Sequence, residues 1–179
     1  MNAADRVVVL DRDGTLVVDR GYLSDPDGLE FEPGAAAGLQ WLYSHGYRLV
    51  VASNQSGVGR GLFTLERLAP MNARLNAMVE ALGIRLEGIY CCPHAPDAGC
   101  TCRKPAPGLL QRAASELGFS PDSAVVIGDK ESDVEFGRSA GATTIRITAD
   151  RAGAPGGTRP DFVAATLLEA AQIITSRLG

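Results

Sequence analysis

The sequence of 179 residues predicts an α/β protein built on a doubly wound parallel sheet. Short apolar segments alternate with segments of helical periodicity along most of the chain, which is the order expected for the strands and helices of such a sheet. The runs VVVL (7–10) and AVVI (124–127) contain no polar residue, as is typical of parallel strands covered by helices on both faces. No repeat or interdomain linker separates the elements, so we expect residues 1–179 to form a single domain without a separate cap domain.

Five strands and five helices are predicted in alternation. The strands are short, mainly apolar runs that cover residues 6–10, 47–52, 86–91, 124–128 and 143–147. The helices are longer segments with apolar residues three or four positions apart, and they cover residues 34–45, 64–82, 107–118, 131–140 and 166–177. Pro33 and Gly46 bracket the first helix, while the second has Thr64 as its predicted N-cap and ends at Gly83.

The composition is that of an ordinary globular protein, with 45% hydrophobic and 21% charged residues. A formal net charge of −4 argues against nucleic-acid binding, and it means that an anionic substrate needs local cations or a metal ion. No apolar run approaches the ~18 residues of a membrane span, and the amino-terminal segment lacks the apolar core of a signal peptide. We therefore expect a monomeric, cytoplasmic protein with reduced cysteines and no nucleic-acid or membrane partner.

Two carboxylates follow the first predicted strand in the segment Asp11-Arg12-Asp13-Gly14-Thr15. At a strand end, the first carboxylate can attack phosphorus and form an aspartyl phosphate, and the second can protonate the leaving oxygen and then activate water. A hard cation such as Mg²⁺ would screen the negative charges that meet there. Taken alone, the segment fits an Asp-Gly turn after a strand equally well.

Two further segments offer donors and cations to an anion. Ser53 begins the loop SNQSG (53–57) after the second strand, and its hydroxyl, amides and glycine suit phosphoryl oxygens, although they also suit a polar loop with a helix cap. Arg103 and Lys104 precede a predicted helix, where they can neutralise a phosphate or remain two solvated side chains.

The fourth segment is GDKESD (128–133), at the end of another predicted buried strand. Asp129 can complete a metal site with Asp11, because the carboxyl ends of parallel strands share one edge of the sheet. Asp133 either supports Lys130 and neighbouring donors or pairs with a helix amino terminus.

In this order, the four segments resemble the motifs of the haloacid dehalogenase superfamily of phosphotransferases: DxDGT, a strand-end Ser, Lys and GDxxxD. The resemblance covers the chain from the first to the fifth predicted strand. It implies the superfamily's Rossmann-like fold, with the first and fourth strands side by side. It also implies that Asp11 is the nucleophile and Asp13 the general acid and base. Ser53 and Lys104 would bind the phosphoryl group, and Asp129 would hold Mg²⁺ with the Asp11 side chain and the Asp13 backbone carbonyl.

A second metal site is predicted from a CPH segment followed by CTC. Three cysteines and a histidine at this spacing are a typical ligand set for a structural zinc ion: Cys92, His94, Cys100 and Cys102. The connecting loop APDAG has little apolar content with which to hold its own shape, and a structural metal stabilises such a loop. The alternatives are four unrelated residues or a redox pair of cysteines.

With this loop, the chain resembles the branch of the superfamily that contains histidinol-phosphate and heptose-bisphosphate phosphatases. The heptose-bisphosphate side of the branch implies removal of the C7 phosphate of a heptose 1,7-bisphosphate through an aspartyl phosphate, in nucleotide-activated heptose biosynthesis. Mg²⁺ would be the catalytic ion and Zn²⁺ the structural ion. The resemblance also assigns substrate binding to a flap and several loops, at Asp19, Arg20, Gly21, Tyr22, Ser53, Asn54, Gln55, Ser56, Arg103, Lys104 and Lys130.

Two other functions stay open at this point. Histidinol phosphate is a positively charged substrate that would not favour Arg103, which the resemblance places at the far end of a sugar phosphate. A zinc-stabilised phosphosugar-binding module without catalysis would not need Asp11 beside Asp13. Only five residues separate His94 from Cys100, fewer than expected in a heptose enzyme, so the anomer and the exact sugar stay open as well.

Overall fold

The computed structural model describes residues 6–148 and 157–178. Within these residues, six parallel strands form one sheet in the order β3-β2-β1-β4-β5-β6. The strands are β1 (Val7–Leu10), β2 (Arg48–Asn54), β3 (Leu86–Cys92), β4 (Val125–Gly128), β5 (Thr143–Ile147) and β6 (Phe162–Ala164). The strand order runs outward from β1 in one direction and from β4 in the other, so the predicted doubly wound parallel sheet is confirmed.

Helices cover both faces of this sheet. In the described part of the chain they are α1 (Ala35–Ser44), α2 (Ser56–Gly59), α3 (Leu68–Glu80), α4 (Gly108–Leu117), α5 (Glu131–Ser139) and α6 (Leu167–Arg177). Residues of α1, α3 and α6 pack with Val8 and Leu10 on one face. Residues of α4 and α5 pack with Val7 and Val9 on the other. Each residue of β1 therefore meets a helix layer, which explains why the strand contains no polar side chain.

Three details of the secondary structure differ from the sequence-based prediction. The strand β6 was not predicted, and it adds three residues at the edge of the sheet beside β5. The single-turn helix α2 was not predicted either. The second predicted helix begins as a 3₁₀ turn at Leu65–Arg67, and the side chain of Thr64 makes no capping hydrogen bond, so the prediction of Thr64 as a side-chain N-cap is wrong.

The strand register places the motif-bearing loops at one edge of the sheet. Leu10 at the end of β1 lies opposite Val51 of β2 and Ile127 of β4. The segments that leave these strands therefore begin close together. None of the helices that the structure describes is both long and apolar enough to cross a membrane.

Candidate active site

A buried lysine connects three of the predicted motifs. The Nζ atom of Lys104 lies 2.7 Å from Asp11 Oδ1, 2.5 Å from Asp133 Oδ1 and 2.8 Å from the backbone carbonyl oxygen of Ala52. The side chains of Lys104, Asp11 and Asp133 are 4%, 7% and 3% exposed. Burial disfavours the charge of the lysine, but the two carboxylates outweigh this effect and raise the pKa of Lys104. The ammonium is therefore retained at the base of the site.

Asp133 also determines how α5 begins. Its Oδ2 atom accepts a hydrogen bond of 3.0 Å from the backbone N–H of Lys130, while its other oxygen pairs with Lys104. Burial raises the pKa of Asp133, and the charge of Lys104 opposes this shift. Gly128 makes the packing possible, because a Cβ at this position would overlap the Asp133 side chain. Asp133 thus pairs with a helix amino terminus and supports a neighbouring cation, and that cation is Lys104.

The second carboxylate of the DxD segment is held by Arg12 and Gln55. Arg12 Nε and Nη2 lie 3.0–3.2 Å from the two carboxylate oxygens of Asp13. Gln55 Nε2 donates a hydrogen bond of 2.9 Å to Asp13 Oδ2 and another of 2.8 Å to Ser53 Oγ. The Arg12 side chain is 2% exposed and that of Asp13 is 15% exposed, so the guanidinium lies inside the protein and the carboxylate reaches the surface of the site.

Asp11 and Asp129 form a negatively charged pocket that fits a divalent cation. Carboxylate oxygens of Asp11, Asp129 and Asp133 lie within 4.8 Å of one another. In the described part of the chain, Asp129 Oδ1 is buried without a hydrogen-bond partner, and burial raises the pKa of Asp129 to about 7. Gly14, with φ +85°, packs against this carboxylate, and a Cβ there would lie 2.6 Å from Asp129 Oδ2. A cation would satisfy the unpartnered oxygen and reduce the repulsion between the carboxylates.

Asn54 fixes the lysine segment against the end of β2. Its Nδ2 atom donates to the Lys104 carbonyl oxygen, and its Oδ1 atom accepts from the Lys104 backbone N–H, both over 3.0 Å. Ser53, one residue earlier, is 1% exposed and receives the hydrogen bond from Gln55. Residues that are about fifty positions apart in the chain thus meet through one amide side chain.

A cavity of about 380 Å³ opens above these residues, and we refer to it as the active-site cavity. Its wall contains Asp13 and most of the predicted substrate-binding residues: Asp19, Gly21, Tyr22, Asn54, Gln55, Ser56, Arg103 and Lys130. Three further wall residues were not predicted: Gly57, Phe63 and Ser132. A recess of about 40 Å³ shares part of this wall and holds Asp11, Ser53 and Lys104.

An ion pair closes one side of the cavity. Lys130 Nζ lies 3.0 Å from Asp19 Oδ2, and the backbone N–H of Gly21 donates to the other oxygen of Asp19 over 2.9 Å. Burial raises the pKa of Asp19, but these two donors outweigh it, so that the pKa lies below its ordinary value. Arg20 differs from its neighbours, because it lies outside the cavity wall and its Nη2 atom is 2.6 Å from Glu30 Oε2.

The predicted zinc ligands converge where β3 ends, and we refer to Cys92, His94, Cys100 and Cys102 as the Cys/His cluster. The Sγ atom of Cys102 lies 3.3 Å from that of Cys92, 3.7 Å from that of Cys100 and 3.2 Å from His94 Nδ1. In a tetrahedral site with Zn–S bonds of about 2.3 Å, the sulfur atoms are about 3.8 Å apart. The cluster therefore has the dimensions of a site that could hold such a metal ion.

Backbone hydrogen bonds join this cluster to the loop after β2. The N–H of Gln55 donates to the carbonyl oxygen of Cys92 over 2.7 Å, and the N–H of Gly59 donates to that of Pro93 over 2.8 Å. A Cβ at Gly59 would overlap the backbone at Ala95, so glycine is needed for this approach. The position of Gln55, which begins the loop after β2, thus depends on the segment that carries the cluster.

Comparisons with known proteins point to one family. A family model described as HAD-hydrolase-like matches residues 101–170. The D-glycero-β-D-manno-heptose-1,7-bisphosphate 7-phosphatase of Helicobacter pylori (strain J99) is 40% identical over 141 residues, which are 78% of this chain and 81% of that protein. The protein of the same name from Yersinia pestis is 34% identical over an alignment of 179 positions, which covers 95% of each chain. The chain belongs to the heptose-1,7-bisphosphate 7-phosphatase family.

Solved structures of heptose-bisphosphate phosphatases agree with this membership. The D,D-heptose 1,7-bisphosphate phosphatase from B. bronchiseptica, complexed with magnesium and phosphate, gives a TM-score of 0.83 at 29% identity, over 96% of this chain and 98% of that chain. The enzyme from Burkholderia thailandensis gives a TM-score of 0.70 at 29% identity, over 96% and 99%. Magnesium is thus present in a structure of a similar protein, and the predicted phosphoric monoester hydrolase activity is confirmed at the level of the family.

Several residues of the candidate site were not predicted from the sequence. Gly57 and Ser132 are next to predicted residues in the chain, and their position was a usable signal. Arg12 lies inside the DxD segment, but nothing in the sequence indicates that its guanidinium holds Asp13. Phe63 belongs to no motif and reaches the cavity only through the fold.

Proposed function

We propose that this chain removes the C7 phosphate of D-glycero-D-manno-heptose 1,7-bisphosphate and leaves the C1 phosphate in place. The observation that carries the proposal is the contact of 2.7 Å between Lys104 Nζ and Asp11 Oδ1, because a buried ammonium both orients this carboxylate and neutralises an incoming phosphoryl group. The names of the relatives from H. pylori and Y. pestis support this sugar and its β-anomer.

In the first half of the proposed reaction, a carboxylate oxygen of Asp11 attacks the phosphorus atom. The bond between phosphorus and the C7 oxygen breaks, and Asp13 donates a proton to that oxygen as it leaves. Ser53 and Lys104 hold the phosphoryl oxygens during the transfer. The product of this half is an aspartyl phosphate and the heptose 1-phosphate.

In the second half, water replaces Asp11 on phosphorus. Asp13 takes a proton from the water molecule, the oxygen of the water attacks the phosphorus atom, and the bond to the Asp11 oxygen breaks. Arg12 and Gln55, which contact the Asp13 carboxylate, hold it in position between the two halves. Inorganic phosphate is released and both carboxylates return to their starting state.

Two metal ions belong to the proposal. Asp11, Asp129 and the backbone carbonyl of Asp13 would hold Mg²⁺, which supplies charge screening and polarisation of the phosphoryl oxygens when it is bound. The Cys/His cluster would hold Zn²⁺ as a structural ion, which supports the loop between its ligands. The unpartnered oxygen of Asp129 and the spacing of the four cluster ligands support these assignments.

The proposed substrate-binding residues are those predicted residues that line the active-site cavity and its recess. They surround the space above Asp11 with two ammonium groups, one guanidinium, a flap carboxylate and two side-chain amides. We assign Arg20 to the support of the flap, because its guanidinium pairs with Glu30.

We also propose that residues 1–179 act as one domain, as a monomer in the cytoplasm, and without a nucleic-acid or membrane partner. The single sheet that carries the six described strands supports the single domain. The net charge of −4 supports the absence of a nucleic-acid partner.

Phosphate release in the presence of Mg²⁺ tests the proposal. We would compare both anomers of the heptose 1,7-bisphosphate with histidinol phosphate and fructose 1,6-bisphosphate. We expect the highest kcat/KM for the β-heptose, and a loss of about 10⁴-fold or more in kcat for Asp11→Asn. Asp27→Asn removes an exposed carboxylate from the turn Pro26–Gly28 and should retain full activity. A preference for histidinol phosphate, or release that survives in Asp11→Asn, would contradict the proposal.

A further inference from the structure

A second groove adjoins the active-site cavity at Tyr22, which lines both. It has a volume of about 560 Å³. Its other walls come from the end of α2 and from the loop of the Cys/His cluster, at Gly59, Arg60, Leu62, Ala95, Pro96 and Asp97. A ligand that fills the cavity and extends past Tyr22 therefore enters this groove.

Arg60 is the cation of the groove. It is exposed, and its guanidinium carbon lies 6.0 Å from the centroid of the Tyr22 ring, within the range of a cation–π contact. Among residues 6–148 and 157–178, no carboxylate forms an ion pair with Arg60. The two ammonium groups of the site differ in this respect, because Lys104 is paired with Asp11 and Lys130 with Asp19. The charge of Arg60 is thus available to an anionic ligand.

Two carboxylates make part of the mouth of the site unfavourable to a second anion, although Arg103 and Lys130 also line the active-site cavity. Asp13 and Asp19 are carboxylates in the wall of the active-site cavity, and the chain carries a net charge of −4. A phosphate that projects out of the recess at Asp11 needs a positive charge at its far end, and a planar guanidinium binds phosphate oxygens in pairs. The hydrogen bond from the Gly59 N–H to the Pro93 carbonyl oxygen fixes the backbone immediately before Arg60, so the point from which the Arg60 side chain extends is defined.

We infer that Arg60 binds the phosphate that the reaction does not remove, with the sugar lying against Tyr22 between the two phosphate sites. The inference rests on the proposed function, because it requires a substrate with one phosphate at each end. Asp97 lines the same groove, and its negative charge weakens the binding of that phosphate. Arg60 and Asp97 should therefore act in opposite directions on the affinity for the bisphosphate.

The test measures Arg60→Gln on two substrates and one inhibitor. The substrates are heptose 1,7-bisphosphate and heptose 7-phosphate, which lacks the phosphate on C1, and the inhibitor is the product heptose 1-phosphate. We expect KM for the bisphosphate and Ki for the product to rise about 10–30-fold, with kcat changed less than threefold. The kcat/KM for heptose 7-phosphate should change less than twofold. Asp97→Asn should lower KM for the bisphosphate and leave the monophosphate unaffected.

Arg85→Gln is the matched control, because Arg85 is an exposed arginine that precedes β3 at the opposite edge of the sheet. It removes the same charge and should leave all three constants unchanged. The inference would be overturned if Arg60→Gln left the ratio of kcat/KM for the two substrates unchanged, whether both values fell equally or neither fell. It would also be overturned if Arg103→Gln, and not Arg60→Gln, lowered the kcat/KM for the bisphosphate relative to that for the monophosphate. A wild-type protein that fails to hydrolyse the bisphosphate would instead overturn the proposed function.

Discussion

Replacement of Lys104 by Met should destabilise the folded protein strongly. Met preserves much of the apolar stem of the side chain but removes the ammonium that lies 2.7 Å from Asp11 and 2.5 Å from Asp133. Without Mg²⁺ in the buffer, both carboxylates then remain buried and close to each other with no cation between them. The perturbation is therefore electrostatic, and the change in packing is small.

The size of the effect follows from the burial of the three groups. Removal of one partner from a buried ion pair costs about 3–5 kcal/mol, and the carboxylates of Asp11 and Asp133 are only 7% and 3% exposed. For a chain of this length, 1 kcal/mol corresponds to a shift of about 2–4 °C in Tm, so we expect Tm to fall by about 6–20 °C at pH 8. Lys130→Met is the control, because Lys130 and Asp19 are 52% and 37% exposed and such a pair contributes at most about 1 kcal/mol.

Urea unfolding followed by circular dichroism, at pH 8 and pH 5 in Mg²⁺-free buffer, measures both variants. Burial already raises the pKa of Asp133, and loss of Lys104 removes the charge that opposes this shift. The folded variant can therefore take up a proton as the pH falls, and the difference in unfolding free energy from the wild type should shrink at pH 5. The urea m-value should stay constant, which is the condition for comparing free energies.

Three results would refute this reasoning. The first is a loss of less than about 1 kcal/mol at pH 8, which would mean that the buried pair is solvated or rearranged. The second is an equal loss in Lys130→Met, and the third is a loss in Lys104→Met that is as large at pH 5 as at pH 8.

Three further predictions follow from contacts around the two proposed metal sites. Gly14→Ala should raise the dissociation constant for Mg²⁺ about tenfold or more by calorimetry, because the new Cβ would lie 2.6 Å from Asp129 Oδ2; Gly46→Ala has a similar φ of +79° in open space and should leave it unchanged. In Mg²⁺-free protein, burial raises the pKa of Asp129 from 3.8 to about 7, so the folded state binds more protons than the unfolded state between these two pH values. The unfolding free energy of the wild type, relative to that of Asp129→Asn, should therefore fall as the pH rises from 4 to 7. A difference between the two proteins that stays constant over this range would contradict the prediction. Elemental analysis should find one zinc per chain. The zinc should be lost, and Tm lowered, in Cys102→Ser, and it should be retained in Cys91→Ser, because the sulfur of Cys91 contacts Asn72 and not the cluster. Retention of zinc in Cys102→Ser would refute the assignment.

The elements that could be predicted are those whose burial is visible in the hydrophobic pattern of the sequence. The runs at β1 and β4 are apolar throughout because each is covered on both faces, and this pattern is visible without a structure. The strand β6 has only three residues and is defined by its pairing with β5. The helix α2 contains two glycines in four residues and depends on contacts with Phe63 and with the cluster loop, so local propensity could not indicate it.

The candidate site shows the same division. Spacing and residue type were enough to predict that Asp11 and Asp129 lie together, because they follow neighbouring strands whose ends converge in a parallel sheet. They could not select the partners of these residues. The pairing of Lys104 with Asp133 and the position of Arg12 beneath Asp13 depend on side-chain directions that only the folded chain determines.

The residue Cys92 belongs to the sheet and to the Cys/His cluster at once. It is the last residue of β3, and its carbonyl oxygen accepts the N–H of Gln55, whose side chain in turn contacts Ser53 and Asp13. If no metal ion fills the cluster, the sheet can still form while the positions of the Ser53 and Asp13 side chains vary from one molecule to the next. Protein made in metal-starved cells should therefore be a mixture, and its activity per milligram would record the metal supply during growth rather than the amount of folded protein.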